Sequence, residues 1–419
     1  MKRDVSPILG VVLILLALTA VQVFYWRGLG TASHILVSGS HEGSRGEGAS
    51  APTGLEEVTV TTVAGRPEAG HRYGRGDEAR FDGPAAVAVG AYPDVYVADS
   101  RNHCVEMVEW GGQVCLAAGG TGKPGYSGDG QLPSYACFSA PAGLAVSPDG
   151  SLLVADTGNH RIRRISNPGG PGATLRGSPM VTTIAGSATP RDDLGRELGG
   201  YRDGPALQAQ FCYPVGLAVD EGGAVYVADA GNHRVRRISP AGQVTTIPTE
   251  GLPGRGTADL KAPTALALTP DGQLWVADTA AGALWVGPRQ GPLHQWQPAG
   301  EARLAKPAGI AVLAQNAAQP GIYVSDAGNH CLWRIDGDQL TLIAGKQDPA
   351  GAGWGDGPGN EALFSCPAGL AAGPDGALYV ADFGNNCLRR VSLTPGRPRQ
   401  VRPERSRRAG RPDRRAGGN

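Results

Sequence analysis

One phrase recurs six times along this 419-residue chain, and it limits the folds open to it more than any other feature. The copies read VADSRNHCVEMV (97–108), VADTGNHRIRRI (154–165), VADAGNHRVRRI (227–238), VADTAAGALWV (276–286), VSDAGNHCLWRI (324–335) and VADFGNNCLRRV (380–391). Their aspartates are Asp99, Asp156, Asp229, Asp278, Asp326 and Asp382, spaced 48 to 73 residues apart. A repeat of this length is one supersecondary unit that cannot bury its apolar face alone, so neighbouring copies must stack.

The second copy shows what a unit contains. The apolar run Pro141–Val146 leads into Ser-Pro-Asp-Gly at 147–150, a turn signal. LLVAD follows, then Thr157-Gly158-Asn159-His160, then RIRRI and, after a Gly/Pro loop, VTTIAG at 181–186. Four short β-rich runs in each of six copies predict an all-β chain folded as a six-bladed β-propeller. The last copy stops after its third strand at Val391, and a spare run, VTVTTVAG at 58–65, precedes the first. That run is expected to complete the sixth blade and close the ring, which removes the exposed edges of an open array.

The corner sequences Asn102-His103, Asn159-His160, Asn232-His233, Asn329-His330 and Asn385-Asn386 make the chain resemble the NHL-repeat family. That family is named for Asn-His-Leu at the turn into the third strand. Here Cys or Arg replaces Leu, and the fourth copy has Ala281-Gly282 at its corner. The resemblance covers roughly residues 58–392 and implies an NHL-type propeller. It implies no single activity, since one fold hosts many functions.

The N-terminus, Met-Lys-Arg-Asp, precedes an apolar run from Ile8 to Trp26. Those 19 residues would span about 28 Å as a helix, close to the hydrocarbon thickness of a bilayer. Phe24, Tyr25 and Trp26 form an aromatic end suited to a membrane interface. A signal anchor or transmembrane helix is expected over 1–27, with a cleaved signal peptide as its rival. Either places the propeller outside the cytoplasm, in a periplasmic or extracellular space. Residues 28–56, rich in Gly, Ser and Ala, read as a flexible tether, and 57–392 as the propeller. Residues 393–419 read as a disordered basic tail. From Arg397 onward nine arginines face two acidic residues, so the formal net charge of zero hides a basic tail on a mildly acidic body. No aromatic or folded element accompanies the tail, so nucleic acid is not an expected partner.

Cys104, Cys331 and Cys387 share one place in the repeat, just after Asn-His or Asn-Asn, while Cys137 and Cys366 precede innermost strands. The turn between strands two and three shares a face with the loop that links blades. Bridges Cys104–Cys137 and Cys331–Cys366 are therefore expected, as one disulfide used twice in an oxidising compartment. Small buried thiols are the alternative. The chain has no CxxC spacing of a zinc ribbon or redox pair.

The innermost strands, AAVAV (85–89), AGLAV (142–146), VGLAV (215–219), TALAL (264–268), AGIAV (308–312) and AGLAA (368–372), carry no Glu, Asp, His or Asn. Gluconolactonase-like propellers, similar in fold, hold a divalent metal with such groups near the channel. The repeated His103, His160, His233 and His330 are a blade apart and do not converge on one ion, so they are read as turn residues. The loops before the innermost strands are more informative. They hold Tyr126-Ser-Gly-Asp-Gly130 with Phe138, Tyr201-Arg-Asp-Gly-Pro205 with Phe211, and Trp354-Gly-Asp-Gly-Pro358 with Phe364. A looser version is Tyr73-Gly-Arg-Gly-Asp77 with Phe81. The phenylalanines are expected to plug the core between blades. Tyr73, Tyr126, Tyr201 and Trp354 are the candidate ligand-binding residues of a loop-face site, and pinning of each loop is the alternative. Asp129, Asp203 and Asp356 lack the D-x-D-x-D-G spacing of a calcium loop and are read as turn residues.

These features predict a membrane-tethered, extracytoplasmic binding or scaffold module for a protein, peptide or glycan, with no catalytic residue, metal or other cofactor. No phosphate-cradling glycine loop, GxSxG elbow or HExxH sequence is present. The alternative is a metal-dependent lyase or lactonase-type enzyme with its site on the loop face. The resemblance to peptidyl-hydroxyglycine lyase suggests it, and it requires His71, Tyr73 and Arg75 to converge. A third reading is the sensor part of a larger signalling assembly.

Overall fold

The computed structural model describes residues 57–90, 94–120, 122–166, 179–250, 259–313, 321–347 and 351–394. They form six antiparallel sheets, each ordered from an innermost strand outward. The innermost strands are Pro84–Val89, Gly143–Val146, Pro214–Val219, Pro263–Leu268, Pro307–Leu313 and Pro367–Ala372. Each touches the next, and the sixth touches the first, so the ring is closed. The closing strand is Glu57–Gly65, paired with Cys387–Thr394 from Glu57 opposite Thr394 to Gly65 opposite Cys387. The fourth blade has the weakest rim: its fourth strand is only His294–Gln295, where the other blades have five to nine residues.

Small residues let the innermost strands crowd together. A Cβ on Gly143 would sit 1.7 Å from the Val215 carbonyl oxygen, and one on Gly309 would sit 2.3 Å from that of Ala368. Farther out, Phe81, Phe138, Phe211 and Phe364 are fully buried between neighbouring blades, as expected.

The repeated phrase is a set of clamps. All six corner aspartates are fully buried. Asp99, Asp156, Asp229 and Asp382 each accept a 2.8 Å hydrogen bond from a loop backbone N–H, at Asp82, Ser139, Cys212 and Ser365. Asp278 and Asp326 each accept two, from Lys261 and Ala262 and from Ala305 and Lys306. The histidine or asparagine that follows takes a left-handed backbone, with φ 56° at His103, 55° at His160 and His330, and 49° at Asn386. From there it latches the next blade. His103 Nδ1 accepts from the Ala140 N–H at 3.0 Å, His160 from Tyr213 at 2.9 Å and His330 from Cys366 at 3.0 Å, while Asn386 Oδ1 accepts from Gly83 at 2.9 Å. Gly282, with φ 62°, holds the same corner in the fourth blade without a latch side chain.

The latches bear on the cysteines. None of the seven is disulfide-bonded in this structure, so the expected Cys104–Cys137 and Cys331–Cys366 bridges are not formed. Imidazoles span the blade boundary instead: the Cys366 thiol lies 3.8 Å from His330 Nδ1, and Cys104 turns into its own blade toward His71 and Glu106. Among the described residues no helix is long and apolar enough to cross a membrane. The expected anchor (1–27), the tether (28–56) and the basic tail beyond Thr394 lie outside the described residues.

Burial pushes the His103 and His160 imidazoles below the ordinary value of 6.5, because each must stay neutral for Nδ1 to accept. Their contribution to stability is therefore full above about pH 6.5 and is lost as the pH falls through the lowered folded values. His103→Asn copies the Asn386 latch. It should hold stability near pH 7 to within about 1 kcal/mol and reduce the fall in melting temperature toward acid pH. Thermal melts across that range check it, and an unchanged acid slope would show that His103 carries none of the effect.

Candidate functional site

Three blades share a stacked unit at the loop face. Arg163, Arg236 and Arg389 lie seven residues after their corner aspartates and are fully buried. Each binds that aspartate, at 3.2 Å for Asp156 and 2.7 Å for Asp229 and Asp382. Each also binds a loop aspartate, Asp129 at 2.8 Å, Asp203 at 2.5 Å or Asp356 at 2.8 Å. These loop aspartates, expected to serve only turns, are thus the outer half of a charge cluster. A buried phenylalanine lies on one side of each guanidinium, 5.0 to 5.3 Å away. On the outer side Tyr126 and Tyr201 cover Arg163 and Arg236 at 4.9 and 4.8 Å.

The half-exposed lid aromatics are tied to their own blades. Tyr126 and Tyr201 hydrogen-bond Thr183 at 3.1 Å and Thr246 at 3.0 Å, and Trp354 Nε1 donates to Thr62 at 3.2 Å. Those threonines sit on the fourth strand of each blade, counted from the channel. The three candidate ligand residues are therefore spread around the rim and are not gathered over the channel.

The first blade departs from this unit, and by more than its looser loop sequence suggested. The corner asparagines Asn102, Asn159, Asn232 and Asn385 donate to the carbonyls of Gly70, Gly125, Gly200 and Gly353, which sets the loops in register. The residue after each glycine is His71, Tyr126, Tyr201 or Trp354. His71, not Tyr73, therefore occupies the lid position. Tyr73 takes the place of the loop aspartate, two residues on, as Asp203 and Asp356 follow Tyr201 and Trp354. Glu106 replaces the buried arginine, seven residues after Asp99.

His71, Cys104 and Glu106 come together here. His71 Nε2 and Glu106 Oε1 are 3.4 Å apart, and Cys104 Sγ is 3.9 Å from each. The edge of the Tyr73 ring meets His71 at 5.3 Å, whereas Arg75 turns away to the Gly111 carbonyl. The hydrogen bond to Glu106 raises the His71 pKa, and burial raises those of Glu106 and Cys104. Among the described residues this is the one group of three His, Cys, Asp or Glu residues with ligand atoms all within 4.8 Å. Sequence reasoning missed Cys104 and Glu106 as partners of His71. The available signal was the break in pattern at Glu106, an acid where three other copies carry Arg.

The central channel holds a cavity of about 210 Å³ walled by residues such as Ala86, Leu144, Val215, Ile310 and Leu370. Tyr213, His233 and Lys261 are the ionisable residues along it, and among the described residues no carboxylate lines it. The corner hydroxyls bond to backbone: Thr157 donates to the Pro214 carbonyl at 2.7 Å and Thr279 to that of Pro307 at 2.5 Å.

The loop face carries most of the large exposed apolar side chains. Twelve large hydrophobic side chains are exposed among the described residues, and nine of them lie in the loops before innermost strands. Seven of the nine belong to the two adjacent loops before the second and third blades, with Leu194, Tyr135 and Leu207 at 76%, 64% and 63% exposure.

A family model described as NHL repeat matches residues 138–165, 211–238 and 364–390. The chain is 27% identical over 342 residues to Protein SUPPRESSOR OF QUENCHING 1, chloroplastic, of Arabidopsis thaliana, which covers 73% of this chain and 30% of that protein. It is 28% identical over 290 residues to Teneurin-3 of Mus musculus, covering 59% of this chain and 10% of that one. The chain thus spans less than a third of the length of either relative. A structural genomics protein of unknown function from Bacteroides thetaiotaomicron aligns with a TM-score of 0.58 at 18% identity, over 81% of this chain and 76% of that one. At that identity the likeness is one of fold.

The stacked units yield a stability prediction. Arg236→Met removes the cation between two carboxylates and leaves Asp229 buried and unpaired, at a cost of about 3–5 kcal/mol. Tyr201→Ala, which removes only the lid, should cost about 1 kcal/mol. Denaturant unfolding checks both, and Arg236→Met combined with Asp229→Asn should recover part of the loss.

Proposed function

We propose a binding function for this chain, which belongs to the NHL-repeat β-propeller family. The rigid disc presents its loop face to a protein, peptide or glycan partner. The contact is centred on the loops before the second and third blades. The apolar segment at 1–27 and the tether at 28–56 hold the disc at a membrane, outside the cytoplasm.

One observation carries this reading: the concentration of exposed apolar side chains in two neighbouring loops. A soluble disc gains nothing from leaving Tyr135, Leu194 and Leu207 in water, and contiguous exposed apolar surface marks interaction sites. Tyrosines beside aliphatic side chains suit such a contact, with a large apolar area and a polar tip on one residue. Among the described residues the mostly apolar channel wall carries no carboxylate for metal-assisted chemistry. The enzyme alternative has one observation in its favour, the His71–Cys104–Glu106 cluster, which lies within the first blade and away from the channel lining.

A photo-crosslinking residue at Leu207 should capture the partner in membranes that contain the full chain. The same residue at Trp110, in the turn between the third and fourth strands and so on the opposite face, should not. The combination Tyr135→Asp, Leu194→Asp and Leu207→Asp should abolish capture from a second loop-face position while leaving stability within about 1 kcal/mol, as expected of surface changes. Capture that persists in this variant, or that occurs equally from Trp110, overturns the reading.

A further inference from the structure

We propose that His71, Cys104 and Glu106 bind a single zinc ion inside the first blade. The inference does not rest on the binding function proposed above.

The first argument comes from charge. In the second, third and sixth blades two aspartates surround one buried guanidinium. In the first blade the corner acid, Asp99, remains, while the guanidinium is gone and a second buried acid, Glu106, stands in its place. The lid changes from Tyr or Trp to His at the same time, and the loop acid changes to Tyr73. These three exchanges in one slot make chemical sense together. They remove the protein's own cation, remove one competing acid, and supply groups that ligate a borderline-soft metal. A divalent ion would restore the charge that arginine supplies in the other three blades. The fifth and sixth blades serve as internal controls. Cys331 and Cys387 occupy the Cys104 position, but Trp333 and Arg389 stand where Glu106 would be.

The second argument comes from geometry. Tetrahedral zinc with bonds of about 2.1 Å to N and O and about 2.3 Å to S places N and O about 3.4 Å apart and S about 3.6 Å from either. The observed separations are 3.4 Å for His71–Glu106 and 3.9 Å for each contact to sulfur. Small rotations of the Cys104 side chain close the difference.

The third argument comes from an unmet bond. Glu106 is fully buried, yet its Oε2 has no hydrogen-bond partner. A buried carboxylate oxygen left bare is rare in folded proteins. A divalent ion held at Oε1 neutralises the carboxylate and so lowers the cost of leaving Oε2 bare. On binding, the Cys104 thiol releases its proton to solvent as the Zn–S bond forms, and His71 gives up to solvent the Nε2 proton that faces Glu106, so that the imidazole binds through Nε2. Three protein ligands leave a fourth position for water. The His71 side chain is 32% exposed, so the ion has a path from the loop face.

The test uses the purified full chain, stripped with chelator, kept under reductant, and titrated with Zn²⁺ or Co²⁺. One metal per chain is expected, with a cobalt spectrum carrying a thiolate charge-transfer band and with zinc raising the melting temperature. Cys104→Ser should abolish the charge-transfer band. His71→Ala should weaken binding at least tenfold, while Cys331→Ser should leave both unchanged. The combination H71Y/Y73D/E106R rebuilds the third-blade pattern and should fold without binding metal. That variant separates loss of ligands from loss of folding. Absence of stoichiometric metal in the wild-type chain, or binding that survives both Cys104→Ser and His71→Ala, overturns the proposal.

Discussion

A carboxylate removed from water organises every blade. Burying an ionised aspartate is costly unless donors converge on it. At all six corners the donors come from the loop that leads into the same blade's innermost strand. The aspartate therefore does more than close a turn: it draws a long loop back onto its blade. In three blades a buried arginine extends the arrangement outward, from the corner aspartate to the loop aspartate, and in two of them on to an aromatic cover. The position of the surface aromatics is thus set by an electrostatic arrangement beneath them.

The same corner governs how blades meet. At four corners the left-handed residue projects its side chain across the boundary and accepts a backbone N–H of the next blade. Asparagine does this as well as histidine, which explains why the sixth copy can read Asn-Asn. Both residue types tolerate positive φ better than most. Inside these latches the innermost strands crowd on glycine and alanine. The ring is therefore set by short-range sterics at the centre and by directional hydrogen bonds midway out. The loop face is left free to vary from blade to blade, and the first blade uses that freedom to exchange an entire cluster.

The propeller was legible from sequence because its signal is redundant. Asp-x-x-Asn-His recurs with the same strands around it, and the spare run at 58–65 matched the strand missing after Val391. The loops were less legible because their lengths differ. Aligned by letters, Tyr73 matches Tyr126 and Tyr201. The backbone aligns His71 with them, because Asn102 grips the carbonyl of Gly70. Glu106 lay unnoticed inside a recognised phrase, and its meaning depends on a side chain 35 residues earlier that only folding brings near. The cysteine spacings suggested bridges, but spacing carries no direction, and the Cys104 thiol points into its own blade.

The closing strand has a mechanical consequence. Glu57 pairs with Thr394, so the two ends of the disc leave side by side from the rim of the sixth blade. A load that pulls those ends apart peels one strand pair open rung by rung, instead of shearing all its hydrogen bonds at once. The disc therefore yields first where its beginning meets its end.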